Sequence, residues 1–199
     1  MQLIGGEKNM IYELKNSAMT AAVSDMGAEL QSLRLNGVEY LWQADERYWG
    51  EHAPTLFPFV GRLVEESYKL NGEEYHMSIH GFAKACLFEA VEQTENTLTM
   101  RLSDTEKTRE MYPYQFALTI RYTLSESGIS VDYEVENRDN KTMYFGLGGH
   151  PGFNVPMDGE GSFEDYYLEF AQESRPDRVQ QDEACFLTGV STPQELEDG

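Results

Sequence analysis

The alternation of apolar and polar side chains through the middle of the chain is what most constrains the fold. Residues 118–124 read Leu-Thr-Ile-Arg-Tyr-Thr-Leu and residues 129–135 read Ile-Ser-Val-Asp-Tyr-Glu-Val, each with one apolar and one polar face. A period of two places every second side chain on the same side of an extended backbone, the signature of a half-buried strand. Further extended segments fall at residues 11–14, 19–23, 38–42, 87–93, 97–102, 115–124 and 128–136. Residues 29–35 are neither clean helix nor clean strand, but Asn36-Gly37 after them marks a hairpin turn. Asn71-Gly72 marks a second one, within residues 67–76. Residues 104–112 are charged and accommodate one helical turn, and residues 164–170 read as one more strand. With so little helix, the expected fold is all-β, a large antiparallel β-sandwich.

The chain's 199 residues suffice for a substantial core, and one domain is the default. Aromatic residues make up 12%, which fits a folded globule. Thirty-five acidic residues against 15 basic ones leave a formal charge of −20. A surface this acidic repels phosphate backbones and anionic lipid, so neither nucleic acid nor a membrane is an expected partner. No stretch approaches the ~20 apolar residues of a membrane span. Residues 1–9 lack a signal-peptide pattern and read as an N-terminal extension, because Met10-Ile11-Tyr12 is a second plausible beginning. Cys86 and Cys185 have no metal-ligand spacing; they read as free thiols of a cytoplasmic protein, a single bridge being the alternative.

The chemistry concentrates in Gly146-Leu147-Gly148-Gly149-His150-Pro151-Gly152-Phe153. Glycines let a ligand approach the backbone, and Pro151 pushes His150 toward an extended conformation. An imidazole with an ordinary pKa of about 6.5 exchanges a proton near neutrality. A glycine-rich bend whose histidine only bonds backbone is the competing reading. His76 and His80 are four apart, the spacing of two zinc ligands on a helix. Their surroundings are strand and turn, however, and no third ligand is evident, so a metal is not expected. Arg62, after Gly61, is a candidate for holding a ligand oxygen. Trp42, Tyr48 and Trp49 read as core or as a wall for stacking a sugar.

Phe57-Pro58-Phe59-Val60-Gly61-Arg62, then Ser78-Ile79-His80-Gly81-Phe82-Ala83, then Gly148-Gly149-His150-Pro151-Gly152-Phe153-Asn154 resembles the aldose 1-epimerase (galactose mutarotase) family. The likeness is greatest to its short bacterial LacX-like branch, which Gly27-Ala28-Glu29-Leu30-Gln31-Ser32-Leu33 and Leu41-Trp42 also fit. It runs from residue 10 to residue 199. The resemblance implies a galactose mutarotase-like supersandwich with a sugar cleft across one sheet and no cofactor or metal. It implies interconversion of the α and β anomers of a free aldohexose. By motif position His150 would be the general acid on the ring oxygen, His80 would hydrogen-bond near the anomeric centre, and Arg62 would hold sugar hydroxyls.

The family's general base is a glutamate far beyond the histidine motif, and nothing in residues 160–199 matches it. Glu164, Glu169 and Glu173 look like ordinary solvated positions. The chain resembles the N-terminal part of an epimerase, apparently truncated at its C-terminus, and self-association through exposed sheet edges is expected. Two other readings stand beside catalysis: a non-catalytic carbohydrate-binding sandwich, and a hexose-6-phosphate 1-epimerase. The latter would need clustered cations, whereas Arg34, Arg47, Arg62 and Lys84 are scattered in sequence.

Overall fold

The computed structural model describes residues 9–169 and 177–193. Ile11–Lys15 (β1), Met19–Ser24 (β2), Leu30–Leu35 (β3) and Val38–Glu39 (β4) form one antiparallel sheet in sequence order. Thr55–Leu56 (β5) follows, then the hairpin of Ser67–Leu70 (β6) and Glu73–His76 (β7). Glu89–Gln93 (β8), Thr97–Ser103 (β9), Phe116–Leu124 (β10) and Ile129–Asn137 (β11) make the second four-stranded sheet, ordered β11-β10-β9-β8. Between β9 and β10 lies the short helix Glu106–Met111 (α1), where the Thr105 hydroxyl accepts the Thr108 N–H and the Thr108 hydroxyl accepts the Thr105 N–H. Reciprocal bonds of this kind satisfy donors that a helix start leaves free. Gly148–Gly149 (β12) pairs with β5, and Asp177–Gln181 (β13) pairs with Leu187–Pro193 (β14).

The alternation of the central strands has its expected effect. Phe116, Leu118, Ile120, Tyr122 and Leu124 of β10 are all buried, and Leu98, Met100 and Leu102 of β9 join them. Leu14, Met19, Ala21 and Val23 from the first sheet belong to the same apolar cluster. Both Asn-Gly pairs turn as expected, with Asn36 and Asn71 at φ 51° and 53° and the following glycines at 88° and 91°. These left-handed angles match the twist of the strands they join. The sheets are laced across by Lys15 N–H to Glu95 O at 2.8 Å and by Asn16 Nδ2 to Ser125 O at 2.7 Å.

Phe57 links core to site. It is fully buried and packs against Phe82, Tyr112, Phe116 and Phe145 with ring centroids 5.2–6.2 Å apart. Its own backbone, at the end of β5, contacts the His80 turn.

Two expected strands are corrected. The strand expected over 38–42 stops at Glu39; beyond it Leu41 makes only an isolated bridge, to Phe153. No strand forms within residues 164–169, while residue 170 lies outside the described residues. Phe163–Asp165 is instead a 3₁₀ turn, closed by Asp165 accepting the Ser162 N–H at 2.7 Å. The Tyr166 hydroxyl accepts the Met157 N–H at 2.8 Å, which folds the segment back on itself. Conversely, β13 and β14 have no counterpart in the sequence reading. All their residues are exposed, so no buried face imposes an alternation. Cys86 and Cys185 are both free, and burial pushes the Cys86 thiol up to about 11.

Candidate active site

His80 and His150 are 70 positions apart in sequence, yet their ring centroids lie 5.6 Å apart. Each is held by backbone. His80 sits at φ 68°, a left-handed conformation that costs an L-residue about 1–2 kcal/mol. Its N–H donates to Gly61 O at 2.9 Å, its carbonyl accepts the Phe57 N–H at 3.2 Å, and Gly81 N–H closes the turn onto Ser78 O at 3.0 Å. Glycine at 81 is required, because a Cβ there would lie 2.2 Å from Phe57 O.

The His80 side chain is fixed as well. Gly61 N–H donates to Nδ1 at 3.1 Å, so Nδ1 is an acceptor and the neutral ring carries its proton on Nε2. Partial burial lowers the His80 pKa, and the nearby positive charges of Lys84, His150 and Arg62 add to the effect against the opposing charge of Glu51. A neutral imidazole with a fixed tautomer presents one N–H to a ligand oxygen.

His150 follows β12, whose Gly148 and Gly149 pair with Leu56 and Thr55. Its N–H donates to Pro54 O at 3.2 Å and its ring packs against Trp49, centroids 5.0 Å apart at 58°. Gly152 lets the aromatic residues close in: a Cβ there would lie 2.8 Å from Trp49 Cζ3 and 2.9 Å from Trp42 Cβ. Gly152 N–H donates to His52 O at 2.9 Å, Trp42 N–H to Gly152 O at 3.0 Å, and Trp42 Nε1 to Trp49 O at 2.7 Å. Asn154 anchors the far end of the motif, its Nδ2 donating to Leu41 O at 2.8 Å and Glu39 O at 3.1 Å. The His150 imidazole itself is left exposed on this frame.

Arg62 is exposed, with no ion pair among the described residues, and it contributes to the positive field at His80. Lys84 also acts on His80 but is tied to Glu51 at 2.8 Å. Arg34 pairs with Glu39 and Arg47 with Asp45, so the four cations do not form a cluster. His76 is exposed at the end of β7, not on a helix shared with His80. Among the described residues no three His, Cys, Asp or Glu side chains gather as metal ligands. Glu164 and Glu169 are exposed, and Glu173 lies outside the described residues. Tyr48 is exposed, while Trp42 and Trp49 are half-buried beneath the Gly152 turn. The sequence reading missed Glu29, Glu51 and His52, which shape the site from behind; single acidic or histidine positions without spacing carry no signal.

The antiparallel sandwich is the fold of galactose mutarotase-like proteins of known structure. Residues 10–197 match the aldose 1-epimerase family, and the chain belongs to it. The chromosomal and plasmid LacX proteins of Lactococcus lactis subsp. lactis are each 36% identical over 170 residues, covering 82% of this chain and 57% of theirs. A galactose mutarotase related enzyme from Lactobacillus acidophilus superimposes with a TM-score of 0.88 at 36% identity, covering 92% of this chain and 62% of that one. A galactose mutarotase-like protein from Lactobacillus casei gives 0.85 at 33%, covering 96% and 65%. The chain thus spans less than two thirds of the length of these relatives.

Proposed function

We propose that this chain carries the sugar-binding cleft and the acid half of an aldose 1-epimerase acting on free aldohexoses. The observation that carries the reading is the convergence of His80 and His150 at 5.6 Å from distant parts of the chain. A ring ether oxygen leaves poorly unless it is protonated as its bond to the anomeric carbon breaks. In this scheme His150, in its protonated form, gives that proton while a base takes the proton of the anomeric hydroxyl, whose electrons form the aldehyde. Rotation about one carbon–carbon bond and reclosure with the opposite proton transfers yields the other anomer. His80 donates from Nε2 to a sugar oxygen, and Arg62 donates to hydroxyls. A donor fixed as the His80 ring is holds the substrate in a reactive orientation. The base is unassigned, since the Glu51 carboxylate is engaged by Lys84. The protein is proposed to act in the cytoplasm, a placement supported by the free Cys86 and Cys185.

Polarimetry of freshly dissolved α-glucose and α-galactose, with the product of the complete reading frame, tests the proposal. His150→Ala is expected to lower the catalysed rate by about 10²–10⁴-fold, the usual contribution of a general acid. Unaltered mutarotation in that variant would overturn the assignment. Sugar binding without any anomer exchange by the complete protein would favour the non-catalytic carbohydrate-binding reading. The hexose-6-phosphate reading has little support, because Arg34, Arg47 and Lys84 are each held in an ion pair, which among the described residues leaves only Arg62 unpaired of the four. Comparing glucose with glucose 6-phosphate as substrates decides it.

A further inference from the structure

Glu29 lies just before β3, with a side chain only 17% exposed. Its Oε1 accepts two backbone bonds from one loop, His52 N–H at 2.9 Å and Ala53 N–H at 3.1 Å. Its Oε2 lies 3.9 Å from His52 Nδ1, beyond hydrogen-bond reach. The same short loop, residues 51–54, supports both histidines from its other polar groups. His52 O receives the Gly152 N–H and Pro54 O receives the His150 N–H. Glu51 holds Lys84, which follows the His80 turn by a few residues. The loop's amides are therefore pinned on one side by a single carboxylate oxygen while its carbonyls and one side chain hold the site on the other.

The turn that carries Glu29 is itself locked. Gly27 N–H donates to Cys86 O at 2.8 Å, and Gly27 presses so close to Lys84 that a Cβ would lie 2.8 Å from its carbonyl oxygen. The buried Tyr122 hydroxyl donates to Ala28 O at 2.6 Å.

We infer that Glu29 is a positioning residue for the proposed reaction: through the two N–H bonds to His52 and Ala53 it sets where His150 stands relative to His80. The inference rests on the epimerase reading for its kinetic consequence but not for its geometry. What matters is a well-placed acceptor oxygen rather than charge. Glu29→Gln retains an Oε1 in the same place. Glu29→Asp keeps the charge but draws the oxygens back by about 1.5 Å, one carbon–carbon bond, and the loop must follow or lose both bonds.

The test uses the product of the complete reading frame. In Glu29→Asp, kcat for anomer exchange is expected to fall by about 10–100-fold, as for a misplacement of about 1 Å in a reacting group, with KM less affected. Glu29→Gln is expected to retain near-native kcat. The ring signals of His150 in ¹H–¹⁵N spectra, assigned with His150→Ala, should move in the aspartate variant and stay in the glutamine variant. Native kcat and unmoved His150 signals in Glu29→Asp would overturn the inference. So would a glutamine variant as impaired as the aspartate one, since charge would then be the cause. Should the aspartate variant fail to fold, hydrogen exchange on the unmodified protein still decides: His52 and Ala53 amides are expected to be protected, and rapid exchange at both refutes the clamp. If the unmodified protein exchanges no anomers, the proposed reaction fails, and the ring spectra together with amide exchange judge the clamp alone.

Discussion

Replacing Gly81 by alanine isolates the close approach that builds the His80 turn. The added Cβ would meet Phe57 O at 2.2 Å, Phe57 C at 2.5 Å and Pro58 N at 2.7 Å, all backbone atoms that cannot rotate away. Reaching an ordinary contact of 3.4 Å requires a relative displacement of about 1.2 Å. Phe57 O cannot move freely, since it accepts the Phe82 N–H at 3.0 Å and the Ala83 N–H at 3.1 Å. Two costs combine: about 1–2 kcal/mol for an L-residue at φ 76°, and about 1–3 kcal/mol for forced displacement in a packed interior. The expected loss is about 2–5 kcal/mol, a large share of the ~5–15 kcal/mol that holds a domain together. Gly72→Ala is the control. It too has a left-handed φ, 91°, but nothing within 4 Å of the added methyl, so only the backbone cost of about 1–2 kcal/mol applies. Urea unfolding of both variants, followed by circular dichroism, measures the difference. If Gly81→Ala is no less stable than Gly72→Ala, the account of the turn is wrong.

His80 is expected to titrate below about 6.5 in an NMR pH series, because burial and neighbouring positive charge disfavour its proton. As the unfolded chain then binds the proton more readily, this residue's contribution to stability is present above about 6.5 and lost as the pH falls through its lower folded value. A midpoint at or above 6.5 would refute this. Lys84→Met removes one of those positive charges and should raise the midpoint; a fall would contradict the assigned cause. Tyr122→Phe leaves the buried Ala28 carbonyl without its 2.6 Å donor and should cost about 1–3 kcal/mol in denaturant unfolding. Finally, the exposed Phe163, Tyr167, Leu168, Leu187 and Val190 are expected to drive self-association of this chain at high concentration. Sedimentation velocity showing one monomeric species across a concentration series would count against that.

The central strands were legible because β10 buries one complete face and β11 rests its apolar positions half-buried on the same core. The two Asn-Gly turns were legible because left-handed backbone is so restrictive chemically. The strand expected over 164–170 failed because Tyr166, Tyr167 and Leu168 are apolar without being alternately buried, and local side-chain bonds fold their neighbours into a turn. The pair β13–β14 escaped notice for the converse reason: it is held by backbone pairing, with every side chain exposed.

Local sequence was enough to set the β character of the chain, its acidity and the positions at which glycine, proline and histidine stand together. These follow from local steric preference and from a period of two, both properties of neighbouring residues. Tertiary structure decided the rest of the site. It placed His80 opposite His150, set Trp49 against the latter, turned Nδ1 of His80 into an acceptor for Gly61, and put Glu29 behind the loop that supports them. Each of these contacts joins segments separated by many residues, so its geometry depends on how the sheets and loops pack rather than on any adjacent pair of amino acids.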